Sequence, residues 1–397
     1  MLTERITPKH KFFIFMSFWG YIVLAFPTTI HGSLAPVTME LYGINAAQQG
    51  LIMTMQAAGM FGTAIFISLK GERYNKIHSI AFGLIIVGIM GAAIGSAPVY
   101  AVLLVMAVLI GFGNTFIDIM TNGVISDVYP ARKNSLLPLV HGFYMVGAMI
   151  VPAVVTALAS PAHPETFSRP FHVLTVLAFV VCALYFISGR RIMTETPYVN
   201  MDAMKKRVTE NPAEIFKTKR VWFFMIVGFL YFSFQMGTAM WLPTFTIRNT
   251  GADFTTGGLM LSVFFAGNLV MRLVSPLFFK AFSPRIIYSV FGIISGAFMA
   301  AALFAENIAL MFVLVAIAGF MQGSSVAAFM LICIDAFPGR TASAASITTL
   351  CSGSATLSAP FWMGALSAYT DGFLVPMLII CCCLFAASAL IFFKRKL

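Results

Sequence analysis

The sequence predicts an all-α membrane protein, with twelve transmembrane helices in two pseudo-symmetric six-helix bundles. Three observations carry that prediction. Of 397 residues, 59% are hydrophobic and 10% charged, with a mean hydropathy of +0.91, whereas a soluble protein carries about 25% charged residues. Charge, proline and glycine then punctuate the apolar sequence into twelve stretches, each long enough for the ~20 residues of a membrane span. Finally, a single offset of 208 residues lays the first half of the chain on the second.

The first six spans are read at 12–37, 47–69, 77–97, 99–128, 135–159 and 170–188. Span one has no small-residue cleavage site after it and is expected to be a retained helix rather than a signal peptide. Span three holds GAAIG at 91–95, a close helix-packing pattern. Residues 189–219 form the longest polar stretch in the chain. They are read as a cytoplasmic linker with room for a short surface helix, between an N-terminal bundle (1–188) and a C-terminal bundle (220–397). The second set of spans is 220–246, 255–279, 285–304, 307–336, 341–370 and 372–393. Span seven is rich in aromatics (Trp222, Phe229, Tyr231, Phe232, Phe234 and Trp241). Most of these are expected to be packing or interface anchors, with one or two left to stack on a ligand. Cys182, Cys333, Cys351 and the run Cys381, Cys382, Cys383 lie inside apolar spans. With no metal spacing and three adjacent thiols, they read as small packing residues.

Cation placement sets the orientation. With both termini inside, 22 of the 25 Lys and Arg residues fall on cytoplasmic segments; Arg169 and Arg248 lie outside and Arg272 lies within span eight. That asymmetry predicts a multi-pass protein of the plasma membrane with cytoplasmic ends. It also accounts for the net charge of +11 without a nucleic-acid partner, since the cations flank membrane spans.

The repeat pairs Asp127, Pro130, Arg132 and Ser135 with Asp335, Pro338, Arg340 and Ser343. Gly50, Gly59, Gly111 and Pro152 pair with Gly258, Gly267, Gly319 and Pro360. Two parallel six-helix repeats enclosing a central site are the expected architecture.

Where the halves differ, one half is expected to carry chemistry. Asn114, Asp118 and Asn122 are spaced four apart and share a helix face; Gln322, Val326 and Met330 stand opposite them in the repeat. A charge at membrane depth costs about 2.5–3.5 kcal/mol, so the stripe should face a cavity rather than lipid. The plainer alternative is a buried hydrogen-bond network joining helices. Asn268 and Arg272 form a second pair four apart. Counted from their cytoplasmic span ends, Asp118, His141 and Arg272 fall at similar depth, as a substrate or proton site would need. Burial favours the neutral form of an acid and a paired guanidinium favours its anion. A bridge between Asp118 and Arg272 would therefore end the proton role, and the sequence leaves that open. His31 is a further candidate for taking a proton, or else a hydrogen-bonded structural residue. Gln56, Tyr144, Gln235 and Gln322 are candidate substrate-binding donors and acceptors.

The architecture resembles the major facilitator superfamily across nearly the whole chain. SLKGERYNK sets Ser68, Glu72, Arg73, Asn75 and Lys76 at the places of the family's Gly-x-x-x-Asp-Arg-x-Gly-Arg loop, beside DVYPAR and DAFPGR after spans four and ten. The resemblance implies a cytoplasmic gate of Glu72, Arg73, Asp127, Arg132, Asp335 and Arg340; the alternative is that these residues only stop spans and set topology. Gly111, Gly113, Asp118 and Asn122, followed by His141, Gly147 and Pro152, are similar to the fucose–galactose–glucose symporter group. That likeness implies Asp118 as the proton-linked acid and Asn122 as a sugar contact. Before Pro36, however, stand His31 and Gly32 rather than the group's carboxylate, and a neutral sugar does not need Arg272.

The expected activity is secondary active transport of a small polar, sugar-like solute by alternating access with proton coupling. No nucleotide-binding loop, nucleophile–base pair or metal cluster is visible in the sequence, so neither ATP drive, enzymatic chemistry nor a cofactor is expected. An organic-anion transporter using Arg272 and a multidrug efflux pump are the nearest alternatives; a sensor or a lipid scramblase is a more distant one. The expected partners are a small-molecule substrate, protons and the lipid bilayer, with the chain acting as a monomer.

Overall fold

The computed structural model describes residues 8–70, 74–97, 99–129, 133–193, 218–337 and 341–394. The protein is all-α. Its long helices are α1 (Pro8–Tyr42), α2 (Ala46–Lys70), α3 (Lys76–Ile94), α4 (Tyr100–Val128), α5 (Lys133–Leu158) and α6 (Arg169–Met193), then α7 (Lys219–Thr250), α8 (Phe254–Ala281), α9 (Pro284–Leu303), α10 (Ile308–Ala336), α11 (Thr341–Tyr369) and α12 (Leu374–Phe393). Eleven of them are long and apolar enough to cross a membrane. The other, α11, has no charged residue over its 29 positions but is diluted by serine, threonine and glycine.

Local chemistry sets the helix ends. Asn75 caps α3 by accepting from the N–H groups of Ile77 (3.0 Å) and His78 (3.2 Å). Asp253 caps α8 through Thr256 N–H (2.9 Å), and Asn307 caps α10 through Ala309 (2.8 Å) and Leu310 (3.2 Å). Side-chain acceptors of this kind satisfy the first, otherwise unpaired helix donors. Gly43 and Gly251, 208 residues apart, follow α1 and α7 at φ 61° and 67°. That left-handed geometry excludes most L side chains and is a common way to end a helix.

The repeat has a physical cause in helix crossings. In the first half, a Cβ on Gly59 would strike the Val108 carbonyl, and one on Gly111 the Gln56 carbonyl, where α2 crosses α4. In the second half, Gly267 meets the Ala316 carbonyl and Gly319 the Phe264 carbonyl, where α8 crosses α10. All four partner positions obey the same offset. Lipid gives apolar helices no hydrophobic reason to associate, so close backbone approach through small residues supplies the packing. The GAAIG glycines behave as expected: Gly91 lies against Thr175 and Phe171, and Gly95 against Ser168.

The chain packs as two compact units. Of the described residues, one holds those within 8–30, 55–151 and 158–193; the other holds those within 31–54, 152–157 and 218–394. Within the second unit Gly50 abuts the Pro360 carbonyl, while Gly258 lies against Thr156 and the Pro152 carbonyl (3.1 Å from an added Cβ). These contacts are repeat images of one another. Trp241 Nε1 also donates to the Pro360 carbonyl there (3.1 Å).

Three expectations change. Span ten is not one continuous helix but two, Ile308–Gln322 and Ser325–Ala336, broken at Gly323 and Ser324. Span nine contains a π-turn at Ile287–Phe291. Of the cysteine run, Cys381 is buried and Cys382 exposed, because neighbours on a helix point about 100° apart and cannot all face inward. The linker segment 194–217 lies outside the described residues.

Candidate functional site

In the first unit the sequence stripe meets α1 at a tyrosine. Tyr21 is fully buried, and its hydroxyl donates toward Asp118 Oδ1 at 2.7 Å and Asn122 Oδ1 at 2.9 Å. Asn122 Nδ2 closes the triangle by donating to Asp118 Oδ1 at 3.0 Å. The i, i+4 spacing puts Asp118 and Asn122 on one face of α4, one turn apart, and the hydroxyl reaches both. The His141 ring, from α5, stands edge-on to the Tyr21 ring with centroids 4.8 Å apart. Three helices thus converge on one phenol. Two hydrogen bonds reach one carboxyl oxygen, Asp118 Oδ1.

Asn114, the third member of the stripe, is fully buried, and neither amide atom has a hydrogen-bond partner. Elsewhere in the unit, Tyr185 donates to Ser17 Oγ at 3.2 Å. Tyr144 pairs with Thr28 Oγ1 at 2.8 Å, tying α5 to α1. Gln56 is buried in α2, and its backbone carbonyl is the one that Gly111 approaches.

The second unit holds the other candidates. Arg272 on α8 lies close enough to act electrostatically on the Tyr231 hydroxyl, which sits beside Gln322 and Ser325. Tyr231 and Gln322 are each 1% exposed. Asn268 Nδ2 donates to the Phe264 carbonyl one turn back (3.1 Å), a bond within its own helix. Gln235 is buried on α7, and its Oε1 has no partner. His31 is buried, and its carbonyl accepts from Gln49 Nε2 at 3.3 Å. Asp118 and His141 belong to one compact unit and Arg272 and His31 to the other.

Of the gate candidates, Glu72, Arg73, Arg132 and Arg340 lie outside the described residues, as does the side chain of Asp127. Asp335 is exposed near the end of α10. Among the described residues no His, Cys, Asp and Glu group has the makings of a metal site.

Tyr21 is the residue that sequence reasoning missed. It sits in FFIFMSFWGYIV, where an aromatic among aromatics reads as packing. The one available signal is that its repeat position carries Phe229, so the second half lacks only the hydroxyl. Tyr231 reads in the sequence mainly as packing; in the fold its hydroxyl faces the polar residues of α10.

A family model described as Major Facilitator Superfamily matches residues 17–360. The "Uncharacterized MFS-type transporter YfkL" of Bacillus subtilis is 24% identical over 258 residues, covering 61% of this chain and 63% of that protein. "Bypass of stop codon protein 6" of Saccharomyces cerevisiae is 19% identical over 297 residues, 68% of this chain and 58% of the relative. The chain thus spans less than two thirds of either relative's length. Among solved structures, a bacterial homolog to the human lysosomal transporter Spinster, inward-facing and unoccupied, has a TM-score of 0.83 at 16% identity, with 97% of each chain covered. A D-xylose-proton symporter has a TM-score of 0.79 at 12% identity, again with 97% of each covered. At these identities the likeness is one of fold.

Proposed function

The chain belongs to the Major Facilitator Superfamily, and on that premise we propose that it is a secondary active transporter rather than an enzyme. It moves a small polar solute across the membrane by alternating access, with proton coupling at Asp118. The observation that carries the coupling is the hydroxyl of Tyr21 held between Asp118 Oδ1 and Asn122 Oδ1.

Protonation of Asp118 changes what that hydroxyl is worth. To a carboxylate the bond is charge-assisted, about 1.5–3 kcal/mol; to a neutral acid it falls to about 0.5–1.5 kcal/mol. Loading the proton therefore loosens α1 from α4 and removes the charge that opposes movement through an apolar surround. His141, on the ring of Tyr21, and His31 are secondary proton acceptors in this scheme. Asn114, Asn122, Gln56, Tyr144, Gln235, Asn268, Arg272 and Gln322 supply the polar contacts for solute. Glu72, Arg73, Asp127, Arg132, Asp335 and Arg340 form the cytoplasmic gate. The span-four likeness to sugar–proton symporters supports a sugar-like solute, and Arg272 supports an organic anion as the second reading.

Reconstituted Asp118→Asn protein tests the scheme. Solute-driven proton movement should vanish while solute counterflow survives. Unchanged proton movement in that variant refutes the coupling role.

A further inference from the structure

The second half breaks its own repeat twice, and both breaks meet at one place. Helix α4 runs unbroken from Tyr100 to Val128, but its counterpart α10 stops at Gln322 and restarts at Ser325. Helix α3 is regular from Lys76 to Ile94, but its counterpart α9 carries the π-turn Ile287–Phe291. The π-turn packs against the half-helix Ser325–Ala336. Tyr288 within it stacks near Tyr231 (5.6 Å between centroids) and Phe329 (5.5 Å). Irregular backbone at membrane depth is tolerated where it is buried in protein or lines a cavity, and single π-turns recur at functional sites.

The side chains at the break are buried without partners. Tyr231 Oη, Ser324 Oγ, Ser325 Oγ and both amide atoms of Gln322 make no hydrogen bond of good geometry, although each residue is 1% exposed or less and Ser325 and Gln322 stand beside the Tyr231 hydroxyl. A buried polar group left unpaired loses its hydration with nothing in return. Five such atoms around one helix break describe a site shaped for something else. Ser324, the cap of the half-helix, does not use its hydroxyl as a cap, so that hydroxyl stays available.

The chemistry of the set selects the ligand. Two serine hydroxyls, a phenol and an amide NH2 can all donate. The guanidinium of Arg272 acts on the same Tyr231 hydroxyl. A carboxylate accepts from all of these donors and carries the charge that Arg272 attracts, while Gln322 Oε1, which can only accept, takes a hydroxyl of the same solute. Resting on the transporter reading above, we propose that Gln322, Ser324, Ser325, Tyr231 and Arg272 bind the carboxylate of the transported solute, which is therefore a hydroxylated organic acid rather than a neutral sugar.

The test uses the purified full-length chain with two matched pairs, D-gluconate with D-sorbitol and D-glucuronate with D-glucose, and chloride alone as a third arm. Binding is read by thermal shift and titration. At least one acid should bind about tenfold or more tighter than its neutral partner. Ser325→Ala and Arg272→Gln should each cost that acid about tenfold and narrow its advantage over the neutral partner. Arg272→Lys should retain part of the affinity, because it keeps the charge but not the fork. If Arg272→Gln fails to fold, Ser325→Ala decides. Equal binding by the neutral partners, equal stabilisation by chloride, or no acid binding at about 10 mM overturns the proposal. Counterflow of either neutral compound without acid binding would leave the transporter reading standing and remove only the carboxylate site.

Discussion

Gly267→Ala offers the sharpest check on the crossing that both halves share. An added Cβ would sit 2.5 Å from the Ala316 carbonyl oxygen and 2.6 Å from Phe320 N, whereas ordinary contact begins at 3.4 Å. The two helices must therefore part by about 0.9 Å at their closest point. Both opposing atoms are backbone, so no rotamer change relieves the clash. Overpacking of this kind costs about 1–3 kcal/mol, and the rigid partner points to the upper end, near 3. Alanine recovers about 1 kcal/mol of helix propensity over glycine. The net expected loss is about 2 kcal/mol, or a fall in melting temperature of several degrees. Gly62→Ala is the control, since nothing lies within 4 Å of a Cβ there, and it should hold or raise the melting temperature. Gly59→Ala, the repeat image, should fall with Gly267→Ala. Thermal unfolding of the purified variants, followed by loss of the monodisperse peak in gel filtration, reads all three. If Gly267→Ala and Gly62→Ala melt alike, the paired crossings do not stabilise their own halves and the physical account of the repeat fails.

Two further expectations follow from single side chains. Tyr21→Phe keeps the ring against His141 but removes the hydroxyl bound to Asp118, a loss of about 1.5–3 kcal/mol, or about 10–150-fold in the hold of α1 on α4. The proton-to-solute flux ratio should fall in proteoliposomes, and an unchanged ratio would remove the hydroxyl from the coupling scheme. At the surface, hydrogen bonding to Thr256 holds the Asp253 carboxyl below its usual 3.8. A depressed folded value means that the stabilisation is present above the unfolded value and is lost as pH drops through the folded one. Wild-type melting should therefore show an acid-side decline below about pH 4 that Asp253→Asn, still an effective cap, lacks. An identical acid limb in both proteins would argue that this cap carries no pH-dependent stability.

The sequence by itself determined the membrane class, the helices and the repeat. Hydropathy and cation placement act over distances that a linear chain displays, and span ends such as 99–128 and 255–279 lie within two residues of α4 and α8. The repeated glycines were legible as a pattern, but their purpose was not. Only the tertiary structure shows that Gly59 and Gly267 meet carbonyls that are themselves 208 residues apart. The stripe of Asn114, Asp118 and Asn122 was legible because helix geometry fixes which residues share a face. The partner of Asp118 was not, because Tyr21 lies 97 positions away and nothing local marks one aromatic among many as polar in function. The break at Gly323 and Ser324 and the π-turn at Tyr288 also escaped the sequence. Hydropathy runs through both without pause, since a few backbone hydrogen bonds, rather than side-chain polarity, separate a continuous helix from a broken one. Periodicity and composition decide which segments enter the membrane; the packing of distant segments decides which buried polar atoms find partners and which are left for a ligand.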